Sequence, residues 1–278
     1  MKEGILCTGF IPVFRTTKSI IAYLIICFVY FLLRGSSVAA INDNLIAYWD
    51  FNEGQGSQVF DSSGMSNTGT IYGATWNNGV SGKALKFDGI NDYVEVPNKS
   101  AQQITTNQLS ISLWFNLQQD IGNTQRRLIC KQQDSNKAWG LEFFGNGYLG
   151  SRGNQLVFHD SNGSAYHVFY SGKLIETGVW HQVGVVDNAG LVRIYLDGQP
   201  IYASNQGYGI LSNVQAPIKI GRTNPDSTFY FNGEIDEIRL YNRAISGSEM
   251  EELYLIPEPA TIILVGLGFL SIKFGKKR

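Results

Sequence analysis

The sequence predicts an all-β fold: a two-sheet antiparallel sandwich of about a dozen strands with one short C-terminal helix, flanked by hydrophobic segments at both ends. Three observations lead there. Apolar and polar residues alternate with period two across residues 41–256, the pattern of half-buried strands. Clusters of Gly, Asn, Asp and Ser interrupt that alternation, as turns between short strands do. With 31 Gly, 13% aromatic and only 16% charged residues, the composition suits a loop-rich extracellular β domain rather than a helical bundle. Residues 41–256 show no fixed-period repeat and no second compositional regime, so one domain is expected there.

From the N-terminus, Arg15 and Lys18 precede the apolar run Ser19–Leu33, and the small residues of "RGSSVAA" follow it. This is the layout of a secretory signal peptide cut near Ala39 or Ala40, so residues 1–40 are assigned to it. The competing reading is a retained anchor, with an apolar run shorter than the roughly 20 residues that span a bilayer comfortably.

The strands come next. "LIAYWDF" puts Leu45, Ala47, Trp49 and Phe51 on one face, and "LSISLWFNL" does the same with Leu109, Ile111, Leu113, Phe115 and Leu117. "VWHQVGVV" and "LVRIYLDGQPI" are joined through Asn188-Ala189-Gly190. Asp197-Gly198 is a dipeptide that tight hairpins prefer. "APIKIGR" and "GEIDEIRLY" close the set. In "AISGSEMEELY", Ser246 stands three residues before Glu249 as a capping box, with Ile245 and Met250 at the staple positions. That helix is expected to pack across one end of the sandwich.

The last segment, 257–278, has three parts: Pro257-Glu258-Pro259, an apolar run from Thr261 to about Ile272, and a basic end. A basic end stays cytoplasmic and leaves the preceding domain outside. Gly266 and Gly268 interrupt the short run, which makes it a poor permanent anchor. The tail resembles the PEP-CTERM sorting signal of envelope-bearing bacteria that make exopolysaccharide. That resemblance implies recognition of Pro257, Glu258 and Pro259 by a membrane exosortase, after a signal peptidase has acted at the other end. Membrane association through both termini is then transient.

Charge and cysteine narrow the function classes. The two ends hold eight of the 22 basic residues but only two of the 23 acidic ones, leaving 41–256 at a net of −7. Such a body repels phosphate backbones, so nucleic acid is not an expected partner. Cys130 alone lies outside the leader, and its phase with Leu128 reads as a small buried hydrophobe. The three histidines, His159, His167 and His181, form no metal-ligand motif. His181 reads as packing. Neither a phosphate loop nor a Gly-x-Ser-x-Gly elbow is present.

Several phrases converge on one family. "LIAYWDFNEGQGSQVFDSSGMSNTGTIYGATW", "ALKFDGINDYVEV", "LSISLWFNL", "VWHQVGVV", "RIYLDGQ" and "GEIDEIRLYNRAIS" follow in the order seen in laminin-G-like domains of the concanavalin A-like lectin/glucanase superfamily. The resemblance spans nearly all of 45–254 and implies a jelly roll of two antiparallel sheets. It says little about ligand, because one scaffold hosts many functions.

That superfamily includes glucan hydrolases, and "GEIDEIRLY" resembles their Glu-Ile-Asp stretch. They need a further Glu four residues after the first, or five where the strand bulges. Alternate strand residues share a face, so the acids can then address one sugar. Here those positions hold Ile238 and Arg239, and Glu237 is expected on the opposite side from Glu234 and Asp236. No catalytic residue is assigned. Asp236 falls in phase with Ile238 and Leu240, and a buried carboxylate must be hydrogen-bonded, paired or metal-bound. One structural Ca²⁺ near Glu53, Asp92 and Asp236 is one expectation, with Asp50 and Asp88 as alternates; laminin-G-like resemblance supports it, and Ca²⁺ takes oxygen ligands of this kind. The other gives these acids strand-end hydrogen bonds or Arg partners such as Arg239 and Arg243.

For ligand contact, two late loops mix aromatic and small polar residues. Tyr208, Phe229 and Tyr230 are candidates to stack on sugar rings, with Asn224 and Asp226 as hydrogen-bonding groups. Trp139 and Tyr148 are further candidates; the alternative is that all these aromatics simply cover the sandwich. The expected function is an exported, non-catalytic binding module for extracellular polysaccharide or a cell-surface partner, sorted to the surface or matrix. A protein–protein adhesion or structural role without sugar binding is the second reading, and a diverged glycan hydrolase the third.

Overall fold

The computed structural model describes residues 41–255, apart from 120, 123, 133–137, 146–152, 163–165, 210–213 and 224–228. The assigned signal segment 1–40 and the tail with Pro257, Glu258 and Pro259 lie outside the described residues. The chain divides into two compact units, 1–43 and 44–278, and the second holds the strands.

In chain order these are β1 (Leu45–Trp49), β2 (Gln58–Val59), β3 (Gly69–Tyr72), β4 (Thr75–Asn78), β5 (Lys83–Asp88), β6 (Tyr93–Val96), β7 (Gln108–Leu117) and β8 (Gln125–Gln132). There follow β9 (Ala138–Phe144), β10 (Gln155–Ser161), β11 (Tyr166–Leu174), β12 (Trp180–Asn188), β13 (Leu191–Leu196), β14 (Gln199–Ser204), β15 (Ile218–Ile220) and β16 (Asn232–Tyr241). The sequence pattern gives about a dozen. Those it misses, such as β2 and β4, have two and four residues, too few to display an alternation.

Two eight-stranded antiparallel sheets result. Sheet I runs β14-β13-β12-β7-β16-β5-β4, with β1 also paired to β16; sheet II runs β11-β10-β9-β8-β15-β6-β3-β2. Their inner faces share one apolar core. Phe115 of β7 meets Phe143 of β9 edge-on at 5.2 Å, joining the sheets. Trp49, Phe51, Phe87, Phe158, Phe169 and Phe231 are fully buried around that contact, each contributing about 1.5–3 kcal/mol by leaving water.

β16 carries a bulge that resets its alternation. Asp236 pairs with Trp114 and Arg239 with Ser112, so two residues of β16 stand opposite Leu113 alone. Glu237 takes a φ of 53° there, the added residue of a β-bulge. Ile235, Ile238 and Leu240 consequently face the core, while Glu234, Asp236 and Arg239 face outward. The unbulged pattern had placed Asp236 with Ile238 and Leu240, and the structure corrects that. β5 pairs with Asn232–Ile235 and β1 with Ile238–Tyr241, so the two share one edge of β16 on either side of the bulge.

Helix α1 (Gly247–Leu255) begins with the expected capping box. The Ser246 N–H donates to Glu249 Oε2 at 2.7 Å, and the Glu249 N–H donates to Ser246 Oγ at 3.2 Å. The helix lies over the outer face of sheet I, not across an end of the sandwich. Met250 fills the space above Gly184, where a Cβ would come within 2.1 Å of its sulfur. Tyr254 stacks on Trp114 at 5.4 Å.

Candidate binding face

The outer face of sheet II collects most of the chemistry. Alternation decides which residues it shows: Val94, Val96, Ile218 and Ile220 point into the core, so Tyr93, Glu95 and Lys219 point out. Their register partners extend the same face through Tyr72 and Thr70 on β3 and Cys130 on β8. Gly140 and Glu142 on β9, and Val157 and His159 on β10, continue it. Cys130 is buried, as its sequence context suggested, but on this outer side of the sheet.

At one end stands an aromatic wall. The Tyr72 and Tyr93 rings are nearly parallel, with centroids 4.5 Å apart. The Arg222 guanidinium carbon lies 3.9 Å from the Tyr93 centroid. Two groups that close to one ring cannot share a face, so Tyr93 is held between them, and among the described residues no further ring or cation stacks on Tyr72. Tyr72 is 43% exposed. Lys219 lies 5.0 Å from the same ring and is paired with Glu95. Burial raises the Tyr93 hydroxyl above its usual range, so the ring remains neutral.

At the other end lies a buried polar cluster. Glu142 Oε1 sits 2.8 Å from Arg127 Nη1 and 2.9 Å from His159 Nδ1. Burial would raise the Glu142 carboxyl, but Arg127 and His159 outweigh it and hold the group below its usual range. His159 is lowered, chiefly by burial. Gly140 is required beside them, because a Cβ would approach His159 Cε1 to 2.4 Å and Arg127 Nη1 to 2.5 Å. Neither the wall nor this cluster has a local sequence signature. Their members come from strands far apart in the chain, and only the alternation hinted at which side each would face.

The carboxylates of this face do not form a hydrolytic pair. Glu142 on β9 and Glu95 on β6 are separated by β8 and β15, which at strand spacing is about 14 Å. Paired glycosidase acids stand about 5–9.5 Å apart. On sheet I, Glu234 accepts hydrogen bonds from Asn77 Nδ2 at 2.6 Å and Gln118 Nε2 at 3.3 Å. Through the bulge, the next outward position after Asp236 holds Arg239. Glu237, expected on the opposite side, instead joins it: its Oε2 lies 2.8 Å from Arg239 Nη2 and accepts a hydrogen bond from Tyr48 Oη at 2.8 Å.

The residues predicted for ligand contact divide. Phe229 and Tyr230 are half-buried and flank the outer face of sheet II; the Phe229 carbonyl accepts the Arg127 N–H at 2.9 Å, and Tyr230 acts on Tyr93 electrostatically. Tyr208, 47% exposed, stands elsewhere, edge-on to His167 at the β10–β11 corner. Asn224, Asp226 and Tyr148 lie outside the described residues. Trp139 belongs to the core and is not available to a ligand. His181 packs on Phe115 and bonds Asp197 Oδ2 at 2.8 Å.

The structure does not gather the proposed calcium ligands. Glu53 Oε1 accepts the Phe60 N–H at 2.6 Å, and Asp92 Oδ2 accepts the Asp88 N–H at 2.9 Å. Asp236 Oδ2 accepts the N–H groups of Val80 and Ser81, and its Oδ1 that of Glu237. The alternates behave alike: Asp88 binds the N–H groups of Ile90 and Asn91, and Asp50 that of Asn52. β1 and β16 do lie side by side, but Glu53 falls beyond the end of β1. Each acid serves its own separate backbone donors. Among the described residues no group of three acidic, His or Cys side chains comes together to hold a metal, so Glu53, Asp92 and Asp236 do not fit as one ligand set.

Comparison with known proteins adds the lineage. Residues 88–251 match the family model described as the concanavalin A-like lectin/glucanases superfamily. Adhesion G-protein coupled receptor V1 of Danio rerio is 32% identical over 101 residues, 35% of this chain and 2% of the receptor. Among solved structures, domain 4 of AbnA, a GH43 extracellular arabinanase from Geobacillus stearothermophilus in complex with arabinotriose, aligns at a TM-score of 0.61 with 23% identity. That alignment covers 76% of this chain and 98% of that one. The binding domain of botulinum neurotoxin DC, in complex with rat synaptotagmin II, aligns at 0.62 with 15% identity, covering 78% of this chain and 52% of that one. At these identities the two structures show the all-β fold alone.

Proposed function

Because the chain belongs to the concanavalin A-like lectin/glucanases superfamily, we propose that it is a non-catalytic module binding extracellular carbohydrate along the outer face of sheet II. One observation carries this: the Tyr72–Tyr93–Arg222 stack, braced at its inner side and exposed at Tyr72. A braced ring costs little further entropy on binding, and stacking on aromatic faces beside a few polar groups suits a sugar. Phe229 and Tyr230 border the same strip. The arabinotriose complex of the aligned arabinanase domain supports the reading by analogy of fold. The module is exported through the 1–40 signal and delivered by an exosortase acting on Pro257-Glu258-Pro259 to the cell surface or matrix.

The test is a glycan array followed by calorimetry on the best ligand. Tyr72→Ala is expected to weaken binding at least tenfold while leaving the melting temperature within 2–3 °C, as a half-exposed ring should. Absence of any retained glycan overturns the sugar reading. The protein-adhesion reading then stands in its place, favoured by the synaptotagmin-bound neighbour and the adhesion-receptor relative. A hydrolase would release reducing ends from β-glucans; none is expected, given Arg239 beside Asp236.

A further inference from the structure

An acidic pair lies on the core side of the sandwich, in phase with Phe158 rather than with the binding-face residue His159. Asp160 is next to last in β10 of sheet II, Asp187 is next to last in β12 of sheet I, and both are fully buried. Asp160 Oδ2 accepts the N–H groups of Tyr208 at 2.9 Å and Gly209 at 3.1 Å. Asp187 Oδ1 accepts the N–H of Gly190 at 2.8 Å. Gly190 in turn accepts the Gly207 N–H at 3.1 Å. The pair thus fastens the 205–209 segment, with the exposed ring of Tyr208, to the ends of both sheets.

The remaining oxygens, Asp160 Oδ1 and Asp187 Oδ2, are buried with no donor among the described residues, which leaves a hydrogen bond between the two interacting carboxyl groups as the way to satisfy them. Two carboxylates are both acceptors, so that bond exists only while one of them carries a proton. We infer that the Asp160–Asp187 pair is a proton-dependent clasp: it holds the two sheets and the Tyr208 segment together while the proton is shared, and loosens that segment when the proton is lost.

The surroundings favour the shared proton. Burial first, and the charge of Asp187 second, push Asp160 up to about 7; burial likewise raises Asp187. The register neighbours of Asp187 are Leu109 on β7 and Val192 on β13, both apolar. Opposite Asp160 in the β10–β11 register stands His167, which also meets the Tyr208 ring at 5.9 Å. His167 and the Tyr208 hydroxyl are the titratable groups these elements bring to the corner. A positive charge beside Asp160 would favour the ionised pair, the opposite sense to the clasp, so the direction of the response separates the two.

Hydrogen exchange of the Tyr208 and Gly209 amides, corrected for intrinsic rates, tests this on the full protein at pH 5.5 and 8.5. Protection is expected to fall at least tenfold at the higher pH. The carboxyl carbon shifts of Asp160 and Asp187 in the unsubstituted protein should titrate together, well above the usual carboxylate range. Asp187→Asn places a permanent donor against Asp160 and should keep the amides protected at both pH values. Equal protection at both pH values in the unsubstituted protein, or separate titration near 4, overturns the clasp. So does calcium that restores protection at pH 8.5 and is reversed by chelation, since the pair would then be answering a cation rather than a proton.

Discussion

Arg239 and Glu237, two residues apart on β16, point to the same side of the sheet with 2.8 Å between Nη2 and Oε2. An unbulged strand brings residues two apart together as a matter of course; here the bulge also moves both to the face of Asp236, away from Ile238 and Leu240. Arg239 further lies flat on Tyr48, its guanidinium carbon 3.9 Å from the ring centroid. Both ions are nearly buried, so Glu237→Ala strands a cation in a dry site. The expected loss is about 3 kcal/mol, read from urea unfolding. A loss below about 1 kcal/mol would show that the pair is solvated and the bulge decorative.

Asp236 is held by three backbone donors and still titrates high, because burial outweighs them and pushes it up to about 8. The unfolded chain releases that proton near 3.9. Between those values the folded state binds more protons than the unfolded one, so this group's share of the stability is full below about pH 4 and fades as pH rises to about 8. Asp236→Asn should remove that slope, seen as a smaller difference between unfolding free energies at pH 5 and pH 8.5 than the unsubstituted protein gives. Asp236→Ala leaves three N–H groups without an acceptor and should cost about 3 kcal/mol.

The helix on sheet I depends on one glycine. Gly184→Ala drives a methyl into Met250, lifting the helix and separating Tyr254 from Trp114. A red shift in tryptophan emission with a loss of about 2 kcal/mol is the expected outcome. Ser246→Ala, which removes only half the capping box, should cost about 1 kcal/mol with no change in emission.

Calcium offers a direct check on the acidic turns. Since Glu53, Asp92 and Asp236 each answer separate N–H donors, millimolar calcium is expected to leave the melting temperature unchanged. A rise of several degrees that vanishes in Glu53→Gln would reinstate that residue as a ligand.

The sandwich was legible in the sequence because alternation, turn dipeptides and the capping box are local signals, and each acts where it is written. The bulge at Glu237 was not. A single added residue leaves no compositional mark, yet it exchanges the faces of everything after it, which is why Asp236 was assigned the wrong companions. The wall of Tyr72, Tyr93 and Arg222 was missed for another reason: its parts are 21 and 129 residues apart in the chain, and their meeting is decided by strand order alone. Aromatic-rich loops point to Tyr208, whereas the exposed ring braced by a second ring and a cation behind it, Tyr72, sits on the short strand β3.

β1 finds its partner almost 200 residues downstream, and β5 and β7 lean on the same strand. A nascent chain therefore emerges with its opening segments waiting, their oily sides uncovered, until the closing stretch leaves the ribosome. Late pairing of this kind makes for slow assembly. Any truncation that removes β16 leaves β1 without a partner and strips one neighbour each from β5 and β7.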